Sequence, residues 1–231
     1  SDDLECLNLL THCLLINGEL TKAKAALERA KKINPGSASV GWNEVRLLLI
    51  SGNLTEAVSL AIIINQNFPD DVEGMVVLGA CLREGNNIKK SLFYLDEALN
   101  RNPRHAEALI HKALIELNNN NKSQSIIYLT EAHKIKPHNK KIWGLLIKLH
   151  IDEKKYSSGV SLLLNMIKID PQYENLIELF HTCTSKSNYL STVCDELGEL
   201  ISSELSDSLI YLFIGIASNN WNQKDDAVSA F

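Results

Sequence analysis

Two kinds of helical stripe alternate along this chain. One recurs as Ala23, Leu27 and Ala30; Ala57, Ala61 and Ile64; Ser91, Leu95 and Ala98; Ser125, Leu129 and Ala132; and Gly159, Leu163 and Met166. The spacing is i, i+4, i+7, which is one face of a helix, and the small side chains let a neighbouring helix approach closely. Ahead of each lies a second stripe at i, i+3, i+4, i+7, such as Met75, Leu78, Gly79 and Leu82, or Trp143, Leu146, Ile147 and His150. Turn-forming residues separate the two: Asn17-Gly18, Ser51-Gly52-Asn53, Glu84 to Asn87 and Asn118 to Asn121. The pattern predicts helix A, a tight turn and helix B, many times over.

The prolines fix the period. They are Pro35, Pro69, Pro103, Pro137 and Pro171, each 34 residues from the next, and the chain has no others. Proline cannot continue a helix interior and turns the preceding residue away from helical backbone, so each one closes a unit. Counting from Leu4, the units are 4–37, 38–71, 72–105, 106–139, 140–173, a degenerate 174–207 and a truncated 208–231. The sixth keeps Ile177, Phe180, Leu197 and Leu200 but has Leu205 where proline is expected. Neither helix of a hairpin can bury its stripe alone, so stacking supplies the core and the chain reads as one solenoid, residues 1–231.

These residues resemble the tetratricopeptide repeat (TPR) family, whose pattern has Trp at position 4, Leu-Gly at 7–8, Tyr at 11, Ala at 20 and 27 and Pro at 32. Leu78-Gly79, Ala98 and Pro103 fit it, as do Tyr211, Ile214-Gly215, Ala227 and Phe231. The resemblance spans about Leu4 to Phe231. It implies an all-α fold, an α-solenoid of about seven helical hairpins forming a right-handed superhelix. A solenoid normally closes with a polar capping helix, and unit seven stops within its helix B. The sequence therefore reads as part of a longer protein.

Composition narrows the chemistry. The net charge of −5 argues against general nucleic-acid binding. Residues 122–155 hold eight Lys against three acids, and residues 170–231 two Lys against ten acids. Solvated helix faces account for such runs, and a gradient that orients a partner is the sharper reading. No apolar run approaches 18 residues, so no membrane span is expected. Five cysteines without CxxC spacing point to a reducing, cytoplasmic setting, with a removed targeting signal left open. Phosphate-loop, metalloprotease, EF-hand and nucleophile-elbow patterns are missing. His181-Thr182-Cys183 with Cys194 is too loosely spaced for zinc, and Cys183 falls at position 10 with Cys13 and Cys81, where a small buried side chain is expected. No catalytic residue, metal or cofactor is expected.

The resemblance also places the binding surface, since A helices of the family line a concave groove. Positions 2, 5, 9 and 12 point away from the core stripe. The groove candidates are Asn8, His12, Trp42, Arg46, Val76, Ala80, Arg83, Ile110, Leu114 and Lys148. The apolar ones form either an interaction patch or contacts buried by tight curvature. Trp42 is either an interface anchor beside Arg46 or the family's core tryptophan displaced by one residue. Arg46, Arg83 and Lys148 are suited to carboxylates of an acidic peptide. The five-residue constellation by which some members grip a peptide's terminal carboxylate is not matched, because Glu73, Val76, Val77 and Ala80 stand where its cations belong. The expected function is a non-catalytic scaffold or adaptor for a protein or peptide. The alternative is the substrate-recruiting arm of a larger enzyme, such as a glycosyltransferase, whose catalytic domain lies elsewhere. A third reading is self-association through the open C-terminal repeat at Phe231.

Overall fold

The computed structural model describes residues 3–169, 176–184 and 212–217. Eleven helices follow in order: α1 (Leu4–Ile16), α2 (Leu20–Ile33), α3 (Ala38–Ile50), α4 (Leu54–Asn67), α5 (Val72–Glu84), α6 (Ile88–Arg101), α7 (Ala106–Asn118), α8 (Lys122–Ile135), α9 (Lys140–Asp152), α10 (Tyr156–Ile169) and α11 (Leu176–Thr184). Residues 212–217 are helical as well, and the described residues contain no strand. The chain divides into two compact units, Ser1–Asn119 and Asn120–Phe231, the division falling in the turn after α7.

Each of the first five hairpins turns on one residue at repeat position 15. Gly18, Gly52, Asn86, Asn120 and Lys154 all have positive φ, between 58° and 82°. A left-handed residue lets the next amide reach back to an unpaired helix carbonyl. Glu19 N bonds Leu14 O at 2.9 Å, Asn53 N bonds Leu48 O at 2.9 Å, Asn87 N bonds Leu82 O at 2.8 Å and Lys155 N bonds His150 O at 2.8 Å. Glycine meets this demand without a Cβ penalty, and asparagine tolerates it. The next helix then starts on a side-chain cap in two hairpins: Asn87 accepts from Lys90 N at 3.4 Å and Asn121 from Gln124 N at 3.5 Å. At the far end, α2, α4, α6 and α8 stop two residues before Pro35, Pro69, Pro103 and Pro137. The residue before proline is forced out of helical backbone.

In the first unit the small stripes disappear from solvent. Ala23, Leu27, Ala30, Ala57, Ala61, Ser91, Leu95 and Ala98 are all buried at 0–1% exposure. Helices α1 and α2, α3 and α4, and α5 and α6 pair as hairpins, and each B helix also packs on the A helix that follows it. The A helices touch one another too, α1 on α3, α3 on α5 and α5 on α7. Close approach is most demanding at Gly79 of α5. A Cβ there would stand 2.9 Å from Leu95 Cγ and Cδ2, and Ser91 Oγ donates to Gly79 O at 2.7 Å. Gly79→Val is therefore expected to destabilise the unit by about 1–3 kcal/mol through overpacking. Gly36→Ala, whose nearest contact is 3.6 Å away, should leave the melting temperature in place.

In the second unit α9 packs on α8 and α10, and α11 packs on α9 and α10. The core gathers Trp143, Ile147, Leu163, Leu164, Met166, Ile167, Phe180 and Phe213, with the Phe180 and Phe213 rings 5.0 Å apart. Trp143 holds the position-4 place, its indole N–H donating to Pro137 O at 2.6 Å and its ring meeting His133 edge-on at 4.5 Å. Most of the sixth and seventh repeats, the open end at Phe231 included, lies outside the described residues.

Candidate functional site

A chain of polar side chains crosses the four A helices of the first unit. On α1, Asn8 donates to Ser39 Oγ at 2.8 Å and accepts from Asn43 Nδ2 of α3 at 3.3 Å; Asn43 Nδ2 also bonds Asn8 O at 3.0 Å. One turn along α3, Arg46 Nη1 donates to Asn43 Oδ1 at 3.4 Å, while its Nη2 pairs with Glu73 of α5. Glu73 Oε2 lies 3.1 Å from His105 Nε2 at the start of α7. Each link between helices joins residues about one repeat apart, so the 34-residue period brings the chain together.

Local folding holds these groups. Asp71 caps α5 by accepting from Glu73 N at 3.1 Å, which fixes the backbone that carries Glu73. His105 caps α7, its Nδ1 accepting from Ala108 N at 3.3 Å. A neutral imidazole has one acceptor and one donor nitrogen, so Nε2 is left to donate to Glu73. That hydrogen bond, with the Arg46 charge added and burial opposing, draws the Glu73 carboxyl down to about 2. Glu73 is thus held as an anion and the half-buried Arg46 as its partner.

Beside this chain stand Arg83 of α5 and His111 of α7. Arg83 Nη2 donates to Glu84 at 2.6 Å, but its Nε is buried and finds no protein hydrogen-bond partner. Nδ1 of His111 is buried in the same condition. Burial first, and then the Arg83 charge, pushes the His111 pKa down to about 4. Ile110 and Leu114, one helical turn apart, are half-buried on α7.

The ten groove candidates fall into distinct environments. Trp42 is 1% exposed, and Asn8, Val76 and Ala80 are buried with it. Three of these four occupy position 5, which helix geometry alone aims at the groove. Neighbouring A helices cover it: Trp42 lies beneath Gly74 of α5, where an added Cβ would stand 2.6 Å from the indole Cε2. Trp42 is therefore a core residue rather than a surface anchor. His12, Arg46, Arg83, Ile110 and Leu114 are half-buried, and Lys148 is exposed on α9 of the second unit. Five residues of the site were not among the candidates. Ser39 and Glu73 stand at position 2, within the face already read from spacing. Asn43 and His111 stand at position 6, and His105 in the link between hairpins, where the sequence marks only a helix start.

The chemistry of the remaining reactive groups is quiet. Burial pushes the thiols of Cys81 and Cys183 up to about 12 and about 11, far from nucleophilic thiolates. Cys183 Sγ would lie 3.0 Å from a Cβ on Gly159, so it packs as a small side chain, and Cys194 lies outside the described residues. Among the described residues no three His, Cys, Asp or Glu are grouped to hold a metal ion, and no helix is long and apolar enough to cross a membrane.

Comparison with known proteins follows the same lines. Residues 4–37 match the tetratricopeptide repeat family. No curated protein sequence matches the chain. Among solved structures, a thermophilic TPR protein of Thermus thermophilus superposes with a TM-score of 0.66 at 18% identity, covering 78% of this chain and 98% of that one. PilF of Pseudomonas aeruginosa gives a TM-score of 0.62 at 15% identity, with 91% and 96% covered. The Cut9–Hcn1 hetero-tetramer of the APC/C gives 0.63 at 12% identity, covering 94% of this chain and 43% of that one. The first hairpin, residues 4–37, is thus matched as a tetratricopeptide repeat, and the chain shares the all-α solenoid fold of these repeat structures.

Proposed function

We propose that this chain is a non-catalytic scaffold that binds a protein or peptide along the A-helix face of its first unit. The observation that supports this is the polar chain from Asn8 to His105, which fixes side chains across four successive A helices. A surface locked before the partner arrives loses less side-chain entropy on binding. Arg46 is already compensated by Glu73, so a simple clamp for an acidic peptide is disfavoured at that point. The half-buried pair Ile110 and Leu114 on α7 suits an apolar side chain of a partner, and Arg83 is half-buried on α5, the A helix packed against α7. Cut9, of similar fold, is seen with Hcn1 in a hetero-tetramer, a precedent for such a fold engaging a protein.

The test uses a peptide array to find a ligand, followed by titration of that peptide into the native chain and into Arg83→Glu/Leu114→Asp. Loss of about tenfold or more in affinity, with the helical circular dichroism kept, is the expected result. Equal affinity in the folded variant would remove α5 and α7 from the site.

A further inference from the structure

A cleft of about 390 Å³ opens between the first two hairpins, lined wholly by α2, α3 and the turn that leads into α4. Its floor is leucine: Leu20 and Leu27 of α2, Leu47 and Leu48 of α3. Its walls are charged, with Lys24, Glu28 and Lys31 on α2 and Glu44 on α3. The repeat explains why the space is open. Lys24 stands at position 21, where the second and third hairpins carry Val58 and Leu92, and both of those pack onto the neighbouring core. Lys24 is exposed instead, its ammonium kept in water, so no apolar group fills the place. Leu47 is left half-buried, whereas Cys81 and Ile115, its counterparts on α5 and α7, are 0% exposed.

We propose that this cleft is a second binding site, separate from the A-helix face, for a short peptide segment in which an acid adjoins a leucine. The later hairpins define the apolar half of that ligand. A branched aliphatic side chain occupies the equivalent place as Val58 and Leu92, so one supplied by a partner fits over Leu47 and Leu48. The volume lies at the low end of ligand pockets, about 300–1,000 Å³, which suits a short segment. Charge selects the other half. Lys31 is engaged by both acids of the cleft, Glu44 at 2.6 Å and Glu28 at 3.7 Å. Lys24 forms no ion pair among the described residues, which leaves its ammonium to take a carboxylate. Asn53 begins α4 without a side-chain cap bond, so its amide can meet the segment's backbone at the rim.

Short peptides with a fixed central pair, Asp-Leu, Glu-Leu, Lys-Leu or Asp-Ser, set among randomised neighbours on an array supply the probe. Acid–leucine peptides should bind best, and the strongest of them, labelled with fluorescein, should titrate saturably. Lys24→Leu gives the first hairpin the residue type of the third, so the helical circular dichroism should be kept. It should weaken that peptide about tenfold or more. Lys24→Glu should move the preference to lysine–leucine peptides, a change that a merely structural lysine would not produce. Equal affinity in the folded Lys24→Leu chain, or no advantage of Asp-Leu over Lys-Leu in the native chain, overturns the proposal. Sedimentation showing the chain paired with itself, and separated by Lys24→Leu, overturns it in favour of a second copy. Arg83→Glu/Leu114→Asp should leave this peptide bound, so failure at one site is distinguished from failure at the other.

Discussion

Replacing Trp42 by alanine is expected to cost the first unit about 3–5 kcal/mol, the range for truncating a fully buried aromatic ring. The ring is 1% exposed and joins α3 to α5 through contacts with Gly74 on one side and a cluster containing Val45, Ala61 and Leu78 on the other. Alanine removes those contacts and leaves a cavity that a glycine neighbour cannot fill. Its indole N–H also donates to Asp71 Oδ2 at 2.7 Å, while Asp71 Oδ1 caps α5. The same carboxylate thus ties the tryptophan to the start of the next A helix. Trp42→Phe keeps one six-membered ring but loses the rest of the indole with its N–H, so a smaller loss of about 1–3 kcal/mol is expected. Urea unfolding followed by circular dichroism measures both. An alanine variant with the native midpoint would mean that the ring is not packed as described.

Trp42 also marks where the sequence stops being legible. The 34-residue proline period, the small stripes and the glycine and asparagine turns fix the hairpins, because each is a local signal with a local cause. Lys154 is the exception among the turns: it adopts φ of 58° although lysine has no preference for that region, and only the period places it at position 15. Helix spacing gives the direction of a side chain but not what stands opposite. Position 5 points away from its own helix B, yet in α3 it is roofed by the next A helix, because α5 offers a glycine there. The polar site was hidden for a related reason. Its links, Asn8 to Asn43, Arg46 to Glu73 and Glu73 to His105, span 35, 27 and 32 residues and become visible only when A helices are set side by side.

Acidification from about pH 6.5 to pH 4 is expected to destabilise the first unit by roughly 3 kcal/mol through His111 alone. Burial and the Arg83 charge lower its folded pKa to about 4 from an ordinary value of 6.5. Above pH 6.5 the imidazole is neutral in both states and nothing is lost. As the pH falls below 6.5 the unfolded chain takes up a proton that the folded chain refuses, so the unfolded state gains. The loss is complete once the pH is below the folded value. Glu73 acts in a lower window with the same sign: its folded carboxyl stays ionised to about 2 from an ordinary 4.5, so the stability it contributes is lost as the pH falls between those values. Burial lowers His133 and His150 of the second unit too, and they add to the upper window. The informative quantity is therefore the difference between the native chain and His111→Gln, which cannot titrate. Urea midpoints measured from about pH 7.5 to about pH 4 should fall less steeply in the variant. Parallel curves would show that His111 takes up its proton freely in the folded protein, and that the space between Arg83 and α7 is open to water instead of closed against charge.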